Sequence, residues 1–209
     1  MQKSGLIFSI LFFATSVFTA PAQRVDVNAL KDFGPSTIKE VYEICRYANL
    51  DAPQQKKLAN QIEKLNSRYV KSLKSGEGYI NVKAQRQLAK ETDKMLASTL
   101  TPEQLADYYR GIYDAEAKAK SNALTDRLKA KYNLTDENCK FVRVHHYKLF
   151  LESAVLKRIY AEQPKKANAE IAKIKKEQMR CIEEKGGFKV NPDETITFVR
   201  PFDPNALHK

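Results

Sequence analysis

Histidine and cysteine side chains are the candidate ligands considered for a metal ion such as zinc in this chain. His145 and His146 are adjacent, and Cys139 lies a short distance before them. On a helix, Cys139 and His146 would share a face but stand two turns apart, about 10 Å, which is too far for two ligands of one zinc ion. Adjacent histidines also point about 100° apart on a helix. A metal-responsive sensor built on these three residues is therefore the weakest functional hypothesis, and no cofactor or metal is predicted.

Cysteine could also form a disulfide. The chain has three cysteines, Cys45, Cys139 and Cys181, so an odd thiol remains in any pairing within one chain. If residues 136–160 and 166–184 form an antiparallel helical hairpin, Cys139 lies roughly opposite Cys181. This pair is the candidate disulfide, and three partly buried, inert thiols are the alternative.

Signals for enzymatic chemistry are missing from the sequence. It contains no glycine-rich phosphate loop and no serine-centred nucleophile turn, and its carboxylates show no pairing typical of acid–base catalysis. We therefore expect a protein that is not an enzyme. The net charge of +11 favours acidic partners.

The N-terminal segment 1–22 has the pattern of an export signal. Lys3 supplies a positive charge, an apolar run extends from Leu6 to Phe13, and Ala20-Pro21-Ala22 offers small residues for cleavage. The apolar run is too short for a comfortable membrane span. We expect a soluble periplasmic protein that starts near Gln23, for which nucleic acid is not an expected partner. Contact with a membrane surface, and the choice between monomer and homodimer, stay open.

One short phrase recurs in the chain and marks helix starts. In chain order its copies are Leu50-Asp51-Ala52-Pro53-Gln54, Leu100-Thr101-Pro102-Glu103-Gln104 and Leu134-Thr135-Asp136-Glu137-Asn138. Thr101 and Thr135 can accept hydrogen bonds from the free amides of a first helical turn. Proline in the first turn costs no helical hydrogen bond.

Helical periodicity fits nearly the whole segment between residues 36 and 184. The predicted fold is all-α, with long antiparallel, coiled-coil-like helical hairpins and a short extended or β-like tail. The first and third copies of the phrase are each followed by a long helix, a break and a second long helix, which suggests a tandem duplication. The predicted organisation is a signal peptide (1–22), an N-terminal linker (23–35), two hairpin modules (36–112 and 113–187) and the tail (188–209).

These features resemble the Spy/CpxP family of periplasmic proteins, which carry an LTxxQ motif. Leu100, Thr101 and Gln104 match the motif fully, Leu134 and Thr135 match it with asparagine in the last position, and Leu50 and Gln54 match it with aspartate for threonine. The resemblance covers residues 38–110 well and 113–185 less well. It implies a helical cradle, often dimeric, that binds unfolded or damaged proteins without ATP during envelope stress.

A chaperone of this type needs a basic, amphipathic surface for its clients. Long-range attraction followed by shallow apolar contact can hold an unfolded chain. The candidate client-binding residues are Lys56, Lys57, Lys64, Arg68, Lys71, Arg143 and Lys148.

A second hypothesis is a regulatory interaction module that docks on an envelope sensor protein or another partner. The alternating, β-branched segment from Thr195 to Val199 could add a strand to a partner's sheet.

Overall fold

Helices make up most of the part of the chain that the computed structural model describes, residues 25–75 and 78–199. The all-α prediction with a short β-like tail is confirmed. In chain order the elements are α1 (Val27–Leu30), α2 (Pro35–Cys45), α3 (Ala52–Ser75), α4 (Val82–Thr99), α5 (Pro102–Tyr132), α6 (Asp136–Ile159), α7 (Pro164–Gly186), β1 (Phe188–Val190) and β2 (Ile196–Phe198).

Local side-chain chemistry sets the helix boundaries. The Thr101 hydroxyl accepts a hydrogen bond from the backbone N–H of Gln104 at the start of α5, and Thr135 does the same for Asn138 at the start of α6. Asn133 ends α5 in the left-handed conformation, with φ of 50°. The predicted helix starts at the second and third copies of the phrase are therefore confirmed.

A first hydrophobic core is formed by helices α1, α2, α3 and α4 together with the start of α5. Its buried members include Leu30, Val41, Leu50, Leu58 and Leu96. Leu30 belongs to the segment predicted as a linker, and the backbone N–H of Asp26 donates to Gln55 Oε1 at 2.8 Å. The described part of that segment thus packs into the core, because Leu30 supplies an apolar side chain that the core buries.

A second core forms where the C-terminal half of α5 packs with α6, α7 and the strand pair. Phe188 is fully buried there, beside Leu128 and Ile182. β1 and β2 are antiparallel, with Phe188 opposite Phe198. The predicted export signal (1–22) and the end of the tail (200–209) lie outside the described residues.

Helix α5 takes part in both cores. Leu105 and Tyr108 pack against the first core, and Leu124 and Leu128 lie in the second. The predicted boundary between modules, at residues 112 and 113, falls in the middle of this continuous helix. The division into two modules remains a prediction.

Candidate functional site

The glutamines of the first two motif copies bind each other. Gln54 Nε2 donates to Gln104 Oε1 at 2.9 Å, and Gln104 Nε2 donates to Gln54 Oε1 at 3.0 Å. Each amide also reaches the backbone just before the other motif's leucine. Gln54 donates to the carbonyl oxygen of Thr99 at 3.2 Å, and Gln104 donates to that of Asn49. We call this reciprocal arrangement the glutamine clasp.

The same two glutamines complete the caps of their own helices. Gln54 Oε1 accepts from the backbone N–H of Asp51 at 3.1 Å, and Asp51 Oδ1 accepts from the backbone N–H of Gln54 at 2.8 Å. Thr101 and Gln104 form the equivalent capping box on α5. Both donors and the acceptor of each side-chain amide are therefore used, so the clasp ties the start of α3 to the start of α5.

The clasp pairs the first and second motif copies, rather than the first and third copies that the suggested duplication relates. In the third copy, the structure gives Asn138 a backbone bond to Thr135 and no side-chain clasp within the described residues. Asparagine is one methylene shorter than glutamine, so its amide reaches less far. The sequence alone could have suggested this pairing, because only the first two copies end in glutamine.

Beyond the clasp, the distal halves of α3 and α4 form a two-helix arm, which we define as residues 64–90. None of its described residues is buried. Four large apolar or aromatic side chains are exposed along it: Tyr69 (47%), Val70 (46%), Tyr79 (82%) and Val82 (60%). Leu73 and Leu88 are only half-buried. The arm thus carries an apolar seam without a third layer to cover it.

The arm is also strongly basic. Residues 64–90 contain seven lysines and arginines and one acidic residue, a net charge of +6. The Arg68 guanidinium donates a hydrogen bond of 2.8 Å to Glu91, which follows the arm directly on α4. More than half of the net charge of the chain is therefore concentrated beside the exposed apolar side chains.

The structure separates the predicted client-binding residues into two groups. Lys56, Lys57, Lys64, Arg68 and Lys71 are exposed on α3. Arg143 and Lys148 lie on α6, where Arg143 is exposed and Lys148 is half-buried. Helix α6 meets the base of the arm through Arg158, which bonds to Asp93 of α4. Arg143 precedes Arg158 by 15 positions, or about 22 Å along the helix.

The base of the arm is fixed to the rest of the molecule by a polar junction. Arg158 of α6 donates to Asp93 of α4 at 2.5 Å, and the Tyr109 hydroxyl of α5 donates to the same carboxylate at 3.2 Å. The Arg158 guanidinium lies over the Tyr109 ring, 5.7 Å from its centroid. Burial, together with the nearby Asp93 carboxylate, raises the pKa of Tyr109 to about 12. The junction therefore joins α4, α5 and α6, and the Tyr109 hydroxyl keeps the proton that it donates near neutral pH.

His145, His146 and Cys139 make contacts within the protein. His145 Nδ1 pairs with Gln178 Oε1 at 2.9 Å, and His146 Nδ1 lies 3.0 Å from the Val142 carbonyl oxygen. Desolvation lowers the pKa of His146. Within residues 25–75 and 78–199, no group of three or more histidine, cysteine or acidic side chains is arranged to hold a metal ion.

All three cysteines are free thiols, so the disulfide predicted between Cys139 and Cys181 is not formed. Cys139 is buried, and its Sγ contacts the Leu134 carbonyl oxygen at 3.9 Å. Cys181 is half-buried on α7. Sequence spacing placed the two residues on neighbouring helices but could not fix the direction of their side chains.

No family model, curated protein or solved structure matches the chain. Among the described residues, none of the helices combines the length and the apolar character that a membrane span requires.

Proposed function

We propose that this protein is an exported, ATP-independent, chaperone-like protein that binds unfolded or damaged proteins through the arm. The observation that carries this proposal is the uncovered apolar seam of the arm inside a segment of net charge +6. The resemblance of the motif copies to the Spy/CpxP family supports it, as does the signal-like sequence at residues 1–22.

The arm offers two kinds of attraction that suit an unfolded client. Its cations attract acidic segments over about a Debye length, which is roughly 8 Å at physiological ionic strength. The exposed tyrosines and valines then provide shallow apolar contact, worth about 25 cal/mol per Å² of apolar surface covered. Such contacts are weak one by one, so a client can be held and released without nucleotide hydrolysis.

The test is light scattering of a client that aggregates on reduction or heating, with and without residues 23–209. We expect suppression near equimolar ratio without ATP, and weaker suppression at high salt because the charge attraction is screened. A failure to suppress aggregation at several-fold excess would contradict the proposal.

A matched pair of variants assigns the activity to the arm. Tyr69→Ser combined with Val70→Ser removes two exposed side chains and should weaken suppression about tenfold, since about 1.4 kcal/mol corresponds to that factor. Val144→Ser on α6 removes a valine of similar exposure (53%) outside the arm and should have no effect. Equal loss of suppression in the arm variant and in Val144→Ser would show that the activity does not depend on the arm.

Charge reversal tests the electrostatic part separately. Lys64→Glu with Lys71→Glu should reduce suppression most at low salt, because both side chains are exposed on α3. Arg68 is less suitable because it pairs with Glu91, and its replacement would also disturb the packing of α3 on α4. Unchanged suppression of aggregation would show that Lys64 and Lys71 do not contact clients.

Partner docking through the strand pair is the second candidate function. The bonds from Asn191 to Thr195 and from Val199 to Gly187 make Lys189 and Thr197 a hydrogen-bonded pair. The backbone groups of Ile196 and Phe198 then point away from β1. Within the described residues this outer edge of β2 is not paired with another strand, so it could accept one from a partner.

The strand edge can be tested without unfolding the protein. Removing residues 188–209 would delete Phe188, which is fully buried, whereas Phe198→Pro removes one outward backbone N–H of β2 at a half-exposed position. Binding of a partner through this edge should be lost in Phe198→Pro while suppression of aggregation persists. Loss of both activities together would argue against two separate sites.

A further inference from the structure

We infer that the arm binds its client as an acidic amphipathic helix, which completes a three-helix layer along α3 and α4. This inference rests on the proposed function and specifies the form of ligand that the same surface takes. Three features support it. One side of the arm carries exposed apolar side chains, the backbone groups of both arm helices are already bonded internally, and basic residues surround the exposed side.

The uncovered face of the arm continues the face that α2 covers at its base. Asn66 faces α2, because its side chain donates to Glu40 at 3.0 Å. Tyr69, Val70 and Leu73 follow Asn66 by three, four and seven positions, so they lie on the same side of α3. The first core thus already shows a third helix packed on this side of α3, and beyond Asn66 the same side carries exposed Tyr69 and Val70.

Helix α4 contributes a matching strip. Leu96 is buried in the first core, and Ala89 and Val82 precede it by seven and fourteen positions on one face. Ala89 and Val82 are both exposed. A small alanine between larger side chains leaves room for a helix to approach closely. Both strips continue toward the first core, one through Asn66 beside α2 and the other through Leu96, so they lie on the same side of the arm. We call the apolar surface that they flank the groove.

The backbone of the arm favours a helical ligand. Both walls of the groove are helices, whose interior N–H and C=O groups already bond to each other. An extended peptide in this groove would leave its own backbone groups without protein partners, at a free-energy cost. A helical peptide satisfies its backbone internally and can place side chains at i, i+3, i+4 and i+7 in the groove.

The charges around the groove select an acidic ligand and disfavour a second copy of the chain. Lys71 follows Val70 directly, and Arg86 and Lys90 flank Ala89 on α4. Two arms packed face to face would bring two segments of net charge +6 together. A ligand helix with glutamates beside its apolar stripe would instead be attracted to the basic residues of the arm.

The experiment measures fluorescence anisotropy of labelled peptides added to residues 23–209. One peptide of about 14 residues carries leucines at i, i+3, i+4 and i+7 with glutamates elsewhere. The controls are a scrambled peptide of the same composition, a version with a central proline, and a version with lysine for glutamate. We expect the amphipathic acidic peptide to bind at least about tenfold more tightly than each control, with a gain of helical circular dichroism in the complex.

Variants of the arm locate the peptide. Val70→Ser combined with Val82→Ser should weaken peptide binding about tenfold, whereas Val144→Ser should leave it unchanged. All three valines are exposed. The comparison of peptides on the unmodified protein does not depend on how well the variants fold.

Three outcomes would overturn the inference. Equal binding of the scrambled or proline peptide would show that the arm takes an extended ligand. Tight dimerisation through the arm that the peptide does not displace would show that a second copy occupies the groove. Suppression of client aggregation together with no preference for the helical peptide would end this inference alone, and the proposed function would fail only if aggregation were also unaffected.

Discussion

At the scale of single residues, the glutamine clasp explains why the motif ends in glutamine. The Gln54 and Gln104 amides each use both N–H donors and also accept a backbone bond, and glutamine has the reach to do so from the third position of its helix. Sequence inspection identified these residues as parts of helix starts, which is correct. It missed the contact between them because a cap is a local feature, whereas the clasp depends on how α3 and α5 pack.

Replacing Gln104 by glutamate should expose the role of the clasp. Glutamate keeps an acceptor for the Thr101 N–H but cannot donate to Asn49 or Gln54 while it is ionised. We expect Gln104→Glu to lower the free energy of unfolding by about 1–3 kcal/mol, the usual cost of unmade bonds to partly buried polar groups. Urea unfolding at pH 7 measures it.

Asn138→Asp provides the matched control for that change. It makes the same amide-to-acid replacement at the corresponding position of the third motif copy, where the described residues form no clasp, and it should alter stability little. Similar losses for Gln104→Glu and Asn138→Asp would contradict the energetic role of the clasp.

The three thiols should differ in accessibility. Burial raises the pKa of Cys45 to about 11, so this thiol stays protonated and unreactive in the folded protein near pH 8. Cys139 is also buried, whereas Cys181 is half-buried. We expect a maleimide reagent to label Cys181 first in the native protein.

Counting thiols after denaturation without a reductant completes that test. Three reactive thiols are expected from the structure. A single reactive thiol, at Cys45, would show instead that Cys139 and Cys181 form a disulfide.

At the scale of elements, the order and limits of the helices were largely predictable, because polar caps, prolines and glycines mark their ends. The helix starts predicted from the second and third copies of the phrase are the starts of α5 and α6. The packing of α1 was not predictable, because so short a helix leaves no periodic pattern. The sequence also did not show which helix faces are exposed to solvent, because α3 has the same apolar periodicity in the core and along the arm.

Gly111 tests how α5 meets the first core. A Cβ atom at this position would come within 2.0 Å of the Tyr47 ring, so the ring would have to move. A glycine-to-alanine change inside an unobstructed helix stabilises it by up to about 1 kcal/mol. We expect Gly111→Ala to destabilise the protein by about 1–3 kcal/mol instead, as overpacking does.

A double-mutant cycle separates these two effects. With Tyr47→Ala in place the obstruction is gone, so Gly111→Ala should then raise the melting temperature. Stabilisation by Gly111→Ala already in the presence of Tyr47 would contradict the close approach of α5 to this ring.

At the scale of the whole molecule, two hydrophobic cores share the long helix α5, and a basic two-helix arm extends from the first core. The clasp and the junction at Asp93 hold the base of the arm, while the arm itself contains no buried residue among those described. The sequence predicted a basic amphipathic surface and named lysines on α3. It did not distinguish the lysines of α3 from the cations on α6, because which helices pack together depends on tertiary contacts.

Site-specific photo-crosslinking to an unfolding client tests the central claim most directly. A photoreactive residue is placed at Tyr79 or Val82 in the arm and, as a control, at Val144 on α6, all of them exposed positions. We expect client crosslinks from both arm positions that decline at high salt, with few from Val144. Strong crosslinks from Val144, or none from the arm while the protein still suppresses aggregation, would show that clients bind elsewhere.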